Sequence, residues 1–352
     1  MVRYAAVALL AFSCSDTAST PDGTVEVLVA ASDYTSSKVC GAPGGCRDGA
    51  DLGKDPQLAE SNGRVFFLAR DFDLLFELDA KDATPIGRFS VHVDDARVAN
   101  PHDVAAAADG SLFVALYNLP KIAVVKDGKV DGTIDLSPYD SDGNPQAESI
   151  RIVGGKAFVT LERLDDKDLL KSKQPSQMLR IDVATRAVEA VLPLAGRNPF
   201  NMMSESDGAL FMAEPGNFDA AHEDAAGIER FDTATSTSRM VVAEHDVDGS
   251  VSEVAVRSGC GVAIVAGPQP TVNPTSVVTF DPTTGVVSKP VLGPTPGYDL
   301  QGLAWRGDTL YVGDRKNLLI HVLEREGASC TLRDTGRTIA LAQRPVALRA
   351  AK

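Results

Sequence analysis

The chain is short of aromatic residues, of cations and of long apolar runs, and each shortage removes a class of protein. Phe, Trp and Tyr make up 6% of the 352 residues, with Trp305 the single tryptophan. Lys and Arg number 34 against 48 Asp and Glu, a net charge of −14, and the acidic residues are spread along the chain. Nucleic acid is therefore not an expected partner, because phosphate binding draws on a basic stripe. No apolar stretch reaches the roughly 20 residues that span a bilayer as a helix. Sustained apolar periodicity of 3.6 residues is missing, so helix should be nearly absent. There is no Gly-x-Ser-x-Gly elbow and no phosphate-cradling glycine loop, which disfavours a serine hydrolase and a nucleotide-binding protein. What remains, at 44% hydrophobic and 23% charged residues, suits a well-cored globular protein.

The first residues carry an address. Arg3 supplies one positive charge, Ala5 to Phe12 is apolar, and Ser13-Cys14 is followed by a polar Ser/Thr stretch. This resembles a bacterial lipoprotein signal in which Cys14 becomes the lipidated first residue. The expected layout is a signal peptide at 1–14, a polar linker at 15–22 and a single domain at 23–352. Membrane attachment would be through the lipid only, on a cell-envelope face, and a plain secretory signal is the alternative. Setting Cys14 aside leaves Cys40, Cys46, Cys260 and Cys330. An even number in an exported chain points to disulfides, and the absence of any CxxC spacing argues against zinc. Of the three possible pairings, Cys40 with Cys46 and Cys260 with Cys330 are favoured.

Repeats decide the architecture. Asn100-Pro-His-Asp-Val leads through the Asp109-Gly110 turn into Ser111 to Tyr117, a strand, a turn and a second strand. The same order recurs from Asp55-Pro56, Asn144-Pro145 and Asn198-Pro199, and without the Pro near Val251 and Asp299. A third strand ending in an acidic residue follows, as in Leu74 to Asp79 and Val277 to Asp281. Equivalent first-strand positions align as Asp103, Glu148, Asn201, Glu253 and Gln301, separated by 45, 53, 52 and 48 residues. A propeller blade takes roughly 40 to 50 residues. Six units fit, and the ends supply a seventh: Pro345 to Leu348 reads as an innermost strand and Val25 to Ala31 as its neighbour. The fold class expected is all-β, a seven-bladed β-propeller closed by pairing of the N- and C-terminal strands. Phrases such as Asn100-Pro-His-Asp-Val and Val278-Thr-Phe-Asp-Pro-Thr-Thr-Gly285 make the chain similar to the bacterial YVTN and NHL-type propellers, a resemblance specific for fold and weak for activity.

Function, if it sits on loops, should sit on the upper face, where the segments 163–176, 215–227 and 267–275 are long. His222 lies in the second of these. Asp140-Ser-Asp-Gly-Asn144 is better explained as a turn than as a calcium loop. The aligned first-strand residues Asp103, Glu148, Asn201, Glu253 and Gln301, with His102 beside them, should converge on the central channel below the upper mouth. That oxygen-rich set would suit Ca2+ or another divalent cation, with Asp103, Glu148, Asn201 and Glu253 as ligands, and gluconolactonase-like and strictosidine-synthase-like propellers resemble this arrangement. Two functions follow. The chain is a binding or interaction propeller for a protein, glycan or small ligand, or it is a metal-dependent lactonase or esterase-type hydrolase. Missing nucleophile and base motifs favour the first, and a monomer is expected.

Overall fold

A computed structural model describes residues 24–351, apart from 95, 166, 173, 218–222, 268–273, 295–298 and 328, with backbone only for 169 and 170. Cys14 and the rest of residues 1–23, on which the signal-peptide and linker expectations fall, and His222 lie outside the described residues.

Among the described residues there are eight sheets, of which seven are arranged as seven blades and the eighth is a short ribbon of Leu164–Asp165 with Asp168–Ser172. Blades 1 to 4 are four-stranded and begin at Pro56–Ser61, Pro101–Ala106, Ala147–Val153 and Phe200–Ser206. Blade 5 begins at Ser250–Arg257 and has three strands, its outer edge marked by isolated bridges at Leu292 and Val287. Blade 6 runs from Leu300–Arg306 to Leu332–Ala340. Blade 7 is made from both ends of the chain. Its innermost strand is Pro345–Ala350, paired antiparallel with Val27–Ser32 in the register Val27 to Ala350, Val29 to Leu348 and Ala31 to Pro345. Ser37–Ala42 and Cys46–Asp48 complete it. Helix is confined, among the described residues, to Glu244–Val247 and three short 3-10 turns.

The strands follow from two patterns. Second strands such as Leu112–Leu116 and Cys260–Ala266 are buried on both faces and read as continuous apolar runs. Outermost strands such as Pro85–Ser90 and Val188–Pro193 alternate half-buried and exposed residues, as a one-sided sheet edge should. Hairpins close where two residues with positive φ are available. Asn62-Gly63 and Asp207-Gly208 each supply such a pair, the requirement of a two-residue type I′ turn.

Among the described residues seven apolar clusters form, each centred on the interface of two adjacent blades, with Met202 of blade 4 also reaching the cluster of blades 1 and 2. Phe66 and Leu68 of blade 1 meet Val104 and Val114 of blade 2, for example, and Leu348 of blade 7 meets Tyr311 and Ile320 of blade 6. The core is therefore a ring of seven interfaces around a polar axis. The disulfides pair as expected from the sequence. Cys40–Cys46 bridges two strands of blade 7, and Cys260–Cys330 staples blade 5 to blade 6.

Candidate functional site in the upper channel

The channel lining is set by bulges in the innermost strands. Pro101, Ala147, Phe200, Val251 and Leu300 pair normally with their second strands, and the next residue in each then leaves the ladder. Those residues are His102, Glu148, Asn201, Ser252 and Gln301. Four of them, His102, Glu148, Asn201 and Gln301, line an upper cavity of about 360 Å³, together with Gln57 of blade 1 and Val346 of blade 7. The register expected from the repeats is corrected in two blades: Asp103 and Glu253 lie one residue beyond the bulge and do not line this cavity. Glu253 faces a second, lower cavity of about 580 Å³, along with Arg151, Trp305 and Arg349.

Bulging strips backbone N–H groups of their ladder partners, and buried donors must find others. Side chains of the preceding blade supply them. Asp103, fully buried, accepts from Ile150 N at 3.0 Å, Ser149 Oγ at 2.7 Å and Arg151 Nη1 at 2.6 Å, all on blade 3. Glu148 accepts from Asn201 N of blade 4 at 3.0 Å. Glu253 accepts from Gly302 N and Leu303 N of blade 6 at 2.8 and 2.9 Å. Ser61 and Ser204 do the same between blades 1 and 2 and between blades 4 and 5. These carboxylates are stitches between blades. Among the described residues no group of three or more His, Cys, Asp or Glu side chains is placed to hold a metal ion.

Above the bulges sits a second ring that the repeat reading missed. It is formed by the residues at the upper ends of the second strands: Arg70, Tyr117, Glu162 and Glu214. The signal was present as a polar residue closing each apolar strand, in Leu68-Ala-Arg70, Ala115-Leu-Tyr117, Thr160-Leu-Glu162 and Met212-Ala-Glu214. The first three line the upper cavity. His102 stacks on Tyr117 with ring centroids 4.0 Å apart and planes 12° from parallel. Tyr117 Oη donates to Glu162 at 2.6 Å. Arg70 binds Asp55 at 2.5 Å and sits 3.2 Å from His102 Nε2. Arginine has only donors, so Nε2 accepts and Nδ1–H donates to Glu148. The imidazole is thus neutral, in keeping with burial, which lowers its pKa. Burial also pushes Glu162 well above the ordinary carboxylate range, reinforced by the charge of Glu148.

Glu214 lies behind this wall, fully buried, with its carboxyl against Gly196 and beside Glu229, which accepts from Ala195 N and Gly196 N. Burial first, and the charge of Glu229 second, hold Glu214 protonated well above its usual 4.5. The folded state keeps this proton more tightly than the unfolded chain, so stability falls as pH rises from about 4.5 toward the raised value. Glu214→Gln removes the ionisation and keeps the shape. Urea denaturation at pH 7.5 should show the variant more stable than the parent by on the order of 1 kcal/mol, with a shallower decline between pH 5 and 7.5. An unchanged or steeper decline would contradict the assignment.

Fold and channel together define a seven-bladed β-propeller with a polar pocket at its upper mouth. No protein-family model and no curated protein sequence matches the chain. Among solved structures it is similar to a putative 6-phosphogluconolactonase from Bacteroides uniformis, at 14% identity and a TM-score of 0.62, covering 93% of this chain and 99% of that one. Virginiamycin B lyase from Staphylococcus aureus superposes at 11% identity and 0.59, covering 83% and 87%. AztD from Citrobacter koseri does so at 12% and 0.54, covering 93% and 97%. Identities this low carry the fold alone.

Proposed function

We propose that this protein is an exported, envelope-attached binding propeller that holds a small polar ligand in the upper mouth of its channel. The observation that carries this is the 360 Å³ cavity itself. It falls within the usual size of ligand pockets, roughly 300 to 1,000 Å³, and its polar walls are fixed by hydrogen bonds from several blades. Tyr34 and Phe200, 48% and 37% exposed, stand at the cavity as an apolar rim. Two disulfides support export, since they persist in oxidising compartments, and the Ala5 to Cys14 pattern supports attachment through a lipidated Cys14. The hydrolase alternative draws less support. Nε2 of His102, the atom that would take a proton from water, faces the Arg70 guanidinium, and Asp103 and Glu253 spend their oxygens on backbone donors.

A thermal-shift screen of small sugars, amino acids, amines and organic acids, followed by calorimetry, tests the reading. Gln301→Phe fills the cavity without breaking any side-chain hydrogen bond found among the described residues. It should weaken any hit at least tenfold, about 1.4 kcal/mol, while leaving the unliganded melting temperature near the parent's. A screen without hits, or hits indifferent to Gln301→Phe, would overturn it.

A further inference from the structure

The upper cavity has a chemical preference that follows from its unused acceptors. Glu162 is 2% exposed, and among the described residues the only donor to its carboxyl is Tyr117. Asn198, also 2% exposed and also lining the cavity, gives its amide N–H to Gly216 O at 2.8 Å, while its Oδ1 has no hydrogen-bond partner among the described residues. The two residues are neighbours through one hydroxyl: Ser176 Oγ donates to Glu162 O at 3.3 Å and accepts from Asn198 N at 2.8 Å. A buried acceptor without a donor costs about 1 to 3 kcal/mol, so the unfilled Oδ1 of Asn198, lining the same cavity as the Glu162 carboxyl, marks a place where a donor belongs.

The charge of the cavity says which donor. Asp55 and Glu148 face it as carboxylates, Glu162 faces it as a group that gains a charge when it loses its proton, and among the described residues the only Lys or Arg lining it is Arg70, already bound to Asp55. His102 is neutral for the reasons given above. Tyr117, stacked on His102, and the rim residues Tyr34 and Phe200 complete the walls. Metal ions are poorly served here, because a hard cation takes 6 to 8 oxygens and no three-ligand cluster exists among the described residues. We propose that the ligand of the upper cavity is a small organic cation bearing a protonated amine, whose N–H groups are received by Glu162 and Asn198. This rests on the upper-pocket reading and specifies its ligand class. The net charge of −14 favours approach of such a ligand.

Glu162 supplies an independent readout. Burial and Glu148 raise its pKa, with Tyr117 and Arg70 opposing, and Glu162 in turn acts on the buried Glu214. An ammonium bound beside it stabilises the charged carboxylate and expels its proton. The probes are n-butylamine and ethanolamine, with 1-butanol as the neutral isostere and tetramethylammonium as a cation without N–H donors, at constant salt and pH 7. Calorimetry should give the amines a dissociation constant at least tenfold below those of both controls, with proton release revealed by buffers of different ionisation enthalpy. Glu162→Gln should lose at least tenfold in amine affinity and abolish the proton release. Equal binding of butylamine and butanol, or full affinity in Glu162→Gln, overturns the proposal. Neutral ligands that bind in a Gln301→Phe-sensitive way while amines do not would overturn it and leave the pocket reading standing; if no probe class binds, both fall.

Discussion

Deleting residues 344–352 should abolish cooperative folding of the whole ring. The strand Pro345–Ala350 is innermost in blade 7, and Val346, Ala347 and Leu348 on it are buried. Val346 and Ala347 belong to the core shared with blade 1, and Leu348 to the core shared with blade 6. Burying Val and Leu side chains contributes about 1.5 to 3 kcal/mol each. The deletion also bares Val27–Ser32, a strand buried along its full length, as an unpaired edge. Those losses together approach the roughly 5 to 15 kcal/mol that holds a domain folded. Urea denaturation followed by circular dichroism should show no folded baseline, or a midpoint far below the parent's.

A circular permutant separates loss of the strand from loss of the chain end. Ala351 N donates to Glu26 O at 3.0 Å, so the ends already lie side by side. Joining them through a short Gly/Ser linker and opening the chain at the Asp142-Gly143 turn keeps every strand of blade 7. That permutant should unfold close to the parent's midpoint. A truncated chain as stable as the parent would mean that the ring does not depend on its last strand.

This closure was readable because a repeat is a strong signal. Asn-Pro or Asp-Pro openings, Gly turns and acidic strand ends recur at blade spacing, so an orphan Arg344-Pro345 strand and an orphan Val25 to Ala31 strand point to each other. Positions within the channel were harder to read. Bulges displace one, two or three residues from the ladder in different blades, as at His102, at Glu148 and Ser149, and at Asn201 to Met203. An alignment of repeats that counts residues cannot see such slips, and a slip of one residue moves a side chain from the channel to the seam between blades. The partners were hidden for a related reason. Asp103 meets Ile150 across 47 residues of sequence and Glu253 meets Leu303 across 50. Only the closed ring brings these together. Tyr117 and Glu162, which form the wall of the cavity, sit at strand ends where a polar residue reads as an ordinary boundary.

Asp103 distinguishes a stitch from a ligand. Its carboxylate satisfies Val104 N, Ile150 N, Ser149 Oγ and the Arg151 guanidinium in a site closed to solvent. Ser149 Oγ then accepts from Met203 N, so one carboxylate anchors blades 2, 3 and 4 in series. Asp103→Ala would take the acceptor from Ile150 N and Ser149 Oγ and the anion from the Arg151 guanidinium, which keeps its bond to Ile150 O. Removing one partner of a buried ion pair costs about 3 to 5 kcal/mol, and that is the expected loss in urea denaturation. Asp103→Asn retains an acceptor oxygen and should lose less. If the residue instead served a divalent cation, its contribution would depend on the metal, and the penalty would shrink when calcium is stripped with chelator. The hydrogen bonds to Ile150 and Arg151 do not depend on any ion. The expected result is therefore the same loss in calcium and in chelator, and a loss confined to calcium-loaded protein would reinstate Asp103 as a metal ligand.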